Sequence, residues 1–149
     1  MKSYLIYLLL LINALGIMSC KSTKPVFDPE TSDKEMIIFG TGGGFTGKVI
    51  KYILTTDGNM YSYNGSETLK IGKAPKAMTN QVFANYKTLG FSQMTLNDPG
   101  NKFSFIEYQK SGDKNKVVWG KNPIENKNVE TYFAVLMNIV KKLKPTETL

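Results

Sequence analysis

The stretch GTGGGFTGKV, Gly40 to Val49, carries the residue pattern with the most chemical content in the chain. Gly42, Gly44 and Gly47 have the spacing of a dinucleotide-binding turn, and Gly42, Gly47 and Lys48 that of a phosphate-binding P-loop. With Val49 added, the same residues match the glycine-rich loop of protein kinases. The first two chemistries need a helix to begin directly after the loop, because its free N–H groups and positive end hold the phosphates. Here the strand-like run Lys48 to Thr56 follows, and Val49 stands where a P-loop needs a hydroxyl for magnesium. Kinase chemistry further needs H-R-D and D-F-G motifs, and this chain has no histidine or arginine. No nucleotide and no other cofactor is expected.

Two readings of the glycines stay open. In one, they only supply positive φ or a bulge between two strands, and Phe45 tucks into the core. In the other, Gly42, Gly43, Gly44, Phe45, Thr46 and Gly47 form a binding element. Glycine costs ~0.5–1 kcal/mol of order per residue, so such a run suits a loop that must approach something closely.

Other chemistry is sparse. Zinc sites and the common nucleophile–base pairs lack their histidine, and the one cysteine is committed elsewhere, so no metal site and no enzyme is expected. Asp57, Asp98 and Asp113 fall in predicted turns, where a carboxylate bonds nearby backbone N–H groups. Glu107 reads as a solvent-side strand residue opposite a lysine. Tyr61, Tyr63, Tyr108 and Trp119 read as strand packing, with an aromatic binding face as the alternative. All 19 basic residues are lysine, set against 12 acids in 149 residues, for a net charge of +7. The lysines are scattered and lack arginine's fork, so nucleic acid is not an expected partner.

The start of the chain speaks to location. Lys2 precedes an apolar run, Tyr4 to Met18, too short for a comfortable membrane span. Residues 1–19 read as an export signal. The sole cysteine follows in the segment IMSC, Ile17 to Cys20, which resembles the lipobox of bacterial lipoproteins. That resemblance implies a signal peptide removed before Cys20, acylation of Cys20, and attachment to a membrane through its lipid. Lys21 in place of aspartate after the cysteine implies an outer-membrane lipoprotein of the cell envelope, facing the periplasm. Residues 20–35, with Pro25, Pro29 and mixed charges, read as the acylated cysteine and a flexible tether.

Residues 36–149 read as a single domain that must position the glycine loop. Strands are predicted at Met36 to Phe39, Lys48 to Thr56 and Asn59 to Tyr63, with Asp57-Gly58 as the turn between the last two. Asn64 to Lys73 reads as a loop with a brief strand at Leu69 to Ile71. Met78, Val82, Tyr86 and Leu89 lie on one stripe of a helix over Pro75 to Leu89, which Gly90 ends. Asn97 to Asn101 reads as a turn, and two strands follow, Lys102 to Lys110 and Lys116 to Gly120. Val129, Tyr132, Phe133, Leu136, Ile139, Val140 and Leu143 mark a final helix, Asn128 to Leu143, stopped by Pro145. The order βββαββα predicts an α+β fold, an antiparallel sheet of about five strands with two helices packed on one face.

The segment GGGFTGKVIKYIL, Gly42 to Leu54, followed by a helix, a strand pair and a last helix, resembles emfourin, a small protein inhibitor of thermolysin-like metalloproteases. It is also similar to small lipoproteins of Gram-negative bacteria with the same glycine motif ahead of a Y-x-L-x-x-D-G hairpin, here Tyr52, Leu54, Asp57 and Gly58. The anchor and the longer tether depart from emfourin. The expectation is a lipid-anchored, non-catalytic envelope protein that binds another protein through the Gly42 to Gly47 hairpin and an adjacent sheet edge, in its sharpest form a proteinase inhibitor. A structural lipoprotein acting through anchor and bulk, and a carboxylate-based enzyme, are the alternatives.

Overall fold

The computed structural model describes residues 27–120 and 126–143. The signal segment, Cys20, the tether residues before Phe27, and Lys144 and Pro145 lie outside the described residues. Alternation of apolar side chains builds the central strands. β1 (Met36–Gly43) sends Ile37 and Phe39 to one face and Met36 and Ile38 to the other, all four buried. It pairs antiparallel with β2 (Ile50–Thr55) on one side and with β6 (Lys102–Lys110) on the other. β3 (Asn59–Tyr63) and β4 (Thr68–Lys73) extend the sheet beyond β2, and β7 (Asp113–Trp119) and β5 (Asn97–Asp98) extend it beyond β6. The sheet has seven strands in the order β4-β3-β2-β1-β6-β7-β5.

The fold is α+β, but the sheet is larger than the expected five strands and is mixed rather than antiparallel. β5 pairs parallel with β7, Asn97 opposite Val118, where a turn was expected. The chain reaches that edge after a 3-10 turn, Phe91–Gln93, and the Val118 N–H also donates to the Leu96 carbonyl. β4 is the other addition. It lengthens the brief strand expected at Leu69 to Ile71 to the full run Thr68–Lys73 that pairs with β3. β1 also runs four residues past Phe39, because backbone pairing, with β2 and β6 at Gly40 and Thr41 and with β6 alone at Gly42 and Gly43, asks nothing of a side chain.

Helices α1 (Lys76–Thr88) and α2 (Lys127–Leu143) both pack on the Ile37/Phe39 face. Val82, Phe83 and Tyr86 of α1 and Val129, Tyr132, Leu136, Ile139 and Val140 of α2 are buried there, as the helical stripes predict. Gly90 takes φ of 75° and Phe91 turns fully into the core behind it. The Tyr132 hydroxyl donates to the Val82 carbonyl at 2.9 Å, tying the helices together, and the Tyr86 hydroxyl donates to Asn115 Oδ1 at 2.9 Å, tying α1 to the sheet. Burial pushes the Tyr86 phenol up to about 12.

The other sheet face carries a smaller apolar cluster of Met36, Ile38, Ile53, Phe105 and Val118. Within the span expected as tether, Phe27, Pro29 and Glu35 contact the sheet. Phe27 stacks on Tyr61 with ring centroids 4.3 Å apart, and the buried Gln109 amide donates to the Pro29 carbonyl at 3.1 Å.

Candidate functional site

The glycine segment joins two central strands at one end of the sheet. Gly40, Gly42 and Gly43 belong to the β1 stem, and a Cβ on Gly40 would collide with the Ile50 carbonyl oxygen. Gly43 has φ of 87°, and a Cβ there would collide with the Asn101 carbonyl oxygen. That carbonyl accepts the Gly44 N–H at 2.7 Å, so the loop before β6 pins the hairpin. The Gly47 N–H then donates to the Gly44 carbonyl at 3.1 Å, closing a β-turn with Phe45 and Thr46 at its corners.

Phe45 is fully exposed, so it does not tuck into the core. Burying a phenylalanine is worth ~1.5–3 kcal/mol, a gain this turn forgoes. Ile50, 53 % exposed, opens the strand leaving the turn, and the exposed Val49 directly precedes it. Gly40 and Gly43 are therefore explained by close backbone approach and Gly42 by the Phe103 ring packed over it, whereas the exposed Phe45 is not explained by packing. The hairpin also lies far from either lateral edge. β1 is the fourth of seven strands, so the expected adjacent sheet edge is replaced by the end of the sheet.

Two cavities flank the hairpin. One, of about 470 Å³, is lined by Thr41, Thr46, Lys48, Lys102, Phe103 and Ser104 together with stem glycines. Thr41 stands opposite Ser104 in the β1–β6 register, which places two hydroxyl-bearing residues side by side. The other, of about 640 Å³, lies across Lys48 and Ile50 and includes Lys51, Ser62 and Tyr63. A third cavity, of about 310 Å³, lies between the helices, lined by Met78, Gln81, Asn85, Val135 and Lys142 among others. None of the three has a carboxylate in its lining.

The polar residues singled out by sequence are scattered. Asp57 accepts from the Thr55 hydroxyl, the Asn59 N–H and Lys34. Burial pushes its carboxyl up, but these bonds and the Lys34 charge outweigh it and hold the group down at about 2. Glu107 faces Lys116 across β6 and β7 at 3.6 Å, as its strand position predicts. Tyr61 and Tyr63 lie with the smaller cluster, while Tyr108 and Trp119 lie on the helix-covered face, so they form no common aromatic surface. Asp98 and Asp113 sit in β5 and β7.

Sequence reasoning missed Glu35, which accepts from the Tyr108 hydroxyl at 2.7 Å and lies 3.3 Å from Lys110 and 3.7 Å from Lys87. Burial raises this carboxyl, and the bonds from Tyr108 and Lys110 with the two lysine charges more than reverse it, leaving it below the ordinary value. Burial and the same hydrogen bond hold the Tyr108 phenol high. A carboxylate fixed in its charged form against a tyrosine fixed in its protonated form is a satisfied clamp rather than a proton-transfer pair. Lys102, Phe103, Ser104 and Asn101 were missed as hairpin neighbours because only the non-local pairing of β1 with β6 brings them there. No protein-family model matches the chain, and no curated protein is significantly similar to it.

Proposed function

We propose that this chain is a lipid-anchored cell-envelope protein, acylated at Cys20, whose domain binds another protein through the Gly42 to Gly47 hairpin without catalysing a reaction. The observation that carries the reading is Phe45, wholly in water at the apex of a β-turn that Asn101 holds in place. An aromatic side chain on a pre-ordered support loses little freedom on docking and fills a partner's pocket well. The sharpest form is inhibition of a thermolysin-like metalloprotease, supported by the resemblance of Gly42 to Leu54 to emfourin. The outer membrane, facing the periplasm, is the proposed location, supported by the lipobox and Lys21.

Affinity capture from envelope extract with the full chain, run beside Phe45→Ser, tests the reading. It expects a partner held by the parent and lost by the folded variant. Equal capture by both removes the hairpin as the contact. Cys20→Ser, followed by membrane fractionation, tests the anchor, with the variant expected in the soluble fraction.

A further inference from the structure

The proposed contact has a charge pattern of its own. Among the described residues there are five ion pairs, and four of them, Lys34–Asp57, Lys87–Glu35, Lys110–Glu35 and Lys114–Glu30, gather at the Met36 end of β1. The hairpin is at the other end. β1 has eight residues, so at ~3.3 Å each the two ends stand roughly 25 Å apart, about three Debye lengths in physiological salt. The acids paired at that end therefore do not neutralise the hairpin end.

At the hairpin, Lys48 and Lys102 are both exposed and have no ion-pair partner among the described residues. They line the same cavity, with the hydroxyl-bearing Thr41, Thr46 and Ser104, and Phe103 supplies an apolar wall. Lys102 would pass within 3.3 Å of a Cβ on Gly44, so its stem lies along the turn that carries Phe45. Lys51, in the neighbouring cavity, stands 5.4 Å from the Tyr63 ring. Asp98 and Glu67, whose backbones neighbour Gly120 and Asn64, line neither cavity.

A concavity with two cations, three hydroxyls and no acid favours a carboxylate. Resting on the hairpin reading, we propose that the partner is a protein presenting an acidic segment, with an aspartate or glutamate side chain entering the Lys48/Lys102 cavity while a pocket of the partner takes Phe45. A lipid surface fits less well. Membrane docking wants an apolar crest ringed by cations; Phe45 stands at the crest with Val49 and Ile50 exposed behind it, but Ile50 and Phe103 line a cavity shared with the lysines and hydroxyls.

The test uses a fluorescein-labelled hexaglutamate peptide and the full chain in non-ionic detergent, read by fluorescence anisotropy. Saturable binding is expected, weakened about tenfold for each of Lys48→Gln and Lys102→Gln, since a charge-assisted hydrogen bond is worth roughly that factor. A control pair at the other pole, Lys110→Gln with Lys114→Gln, should leave it unchanged. No binding, or equal weakening by the control pair, overturns the proposal. A second arm places Phe45→Trp in vesicles of phosphatidylcholine with or without phosphatidylglycerol. Unchanged emission is expected, and a blue shift on the anionic vesicles overturns the proposal in favour of a membrane contact. In the capture experiment, a partner lost by Phe45→Ser but kept by the double lysine variant sinks the acidic segment and leaves the hairpin standing. A partner kept by both variants sinks the hairpin as well.

Discussion

Gly43→Ala should destabilise the domain far more than Gly47→Ala, although both glycines have positive φ and stand four residues apart in one loop. At Gly47, φ is 61° and a Cβ meets nothing within 4 Å, so alanine incurs only the left-handed backbone cost, ~1–2 kcal/mol, partly offset by lower entropy of the unfolded chain. At Gly43 the same backbone cost applies, and the new methyl collides with the Asn101 carbonyl oxygen. Moving that oxygen strains a close-packed junction, ~1–3 kcal/mol, and breaks its bond from the Gly44 N–H, ~0.5–1.5 kcal/mol. The expected totals are roughly 3–5 kcal/mol for Gly43→Ala and about 1 kcal/mol for Gly47→Ala. With a urea m-value of ~2 kcal/mol/M, the two midpoints should differ by about 1 M or more. Equilibrium urea unfolding of the full chain, followed by far-UV circular dichroism, reads this directly. Coincident midpoints would refute the pinning of the hairpin by Asn101, and with it the claim that Phe45 is held ready.

Two further outcomes follow from contacts remote from the hairpin. The folded-state value of Asp57 lies below its ordinary value of 3.8, at about 2. Its contribution is therefore fully present above the ordinary value and is lost as pH falls through about 2, so acid unfolding monitored by fluorescence should shift to higher pH in Asp57→Asn. Phe27→Ala should cost about 1–2 kcal/mol in urea unfolding, from lost stacking on Tyr61 and partial burial, whereas a free tether residue would give no change.

What was legible in the sequence was what local periodicity encodes. The stripe from Val129 to Leu143 and the pair Gly90-Phe91 specify a helix and a helix end by themselves, and both lie where expected. The alternation in Lys102 to Lys110 likewise separates Ile106 and Tyr108 from Phe103 and Phe105, and the two pairs lie on opposite faces. The missing parts depend on partners distant in sequence. β5 is only Asn97–Asp98 and exists as a strand because β7 offers it unpaired backbone groups, and β4 outgrows the brief strand expected at Leu69 to Ile71 because β3 pairs along its whole length. Residues 27–35 look polar and loose, yet Phe27, Pro29 and Glu35 each find a partner on the sheet, at Tyr61, Gln109 and Tyr108. The glycine motif marked the hairpin, but Lys102 and Ser104 join it only through the β1–β6 register.

Site-specific photo-crosslinking in cells tests the central claim most directly. With Phe45 replaced by benzoylphenylalanine, irradiation should join the chain to an envelope protein, and the same group at Ser111, in the turn between β6 and β7, should not. Ser111 lies at the Met36 end, since Lys110 and Asp113 pair beside it. A discrete protein adduct from position 45 alone is the predicted result. Adducts from both positions, or from neither, would contradict a hairpin built to meet a partner.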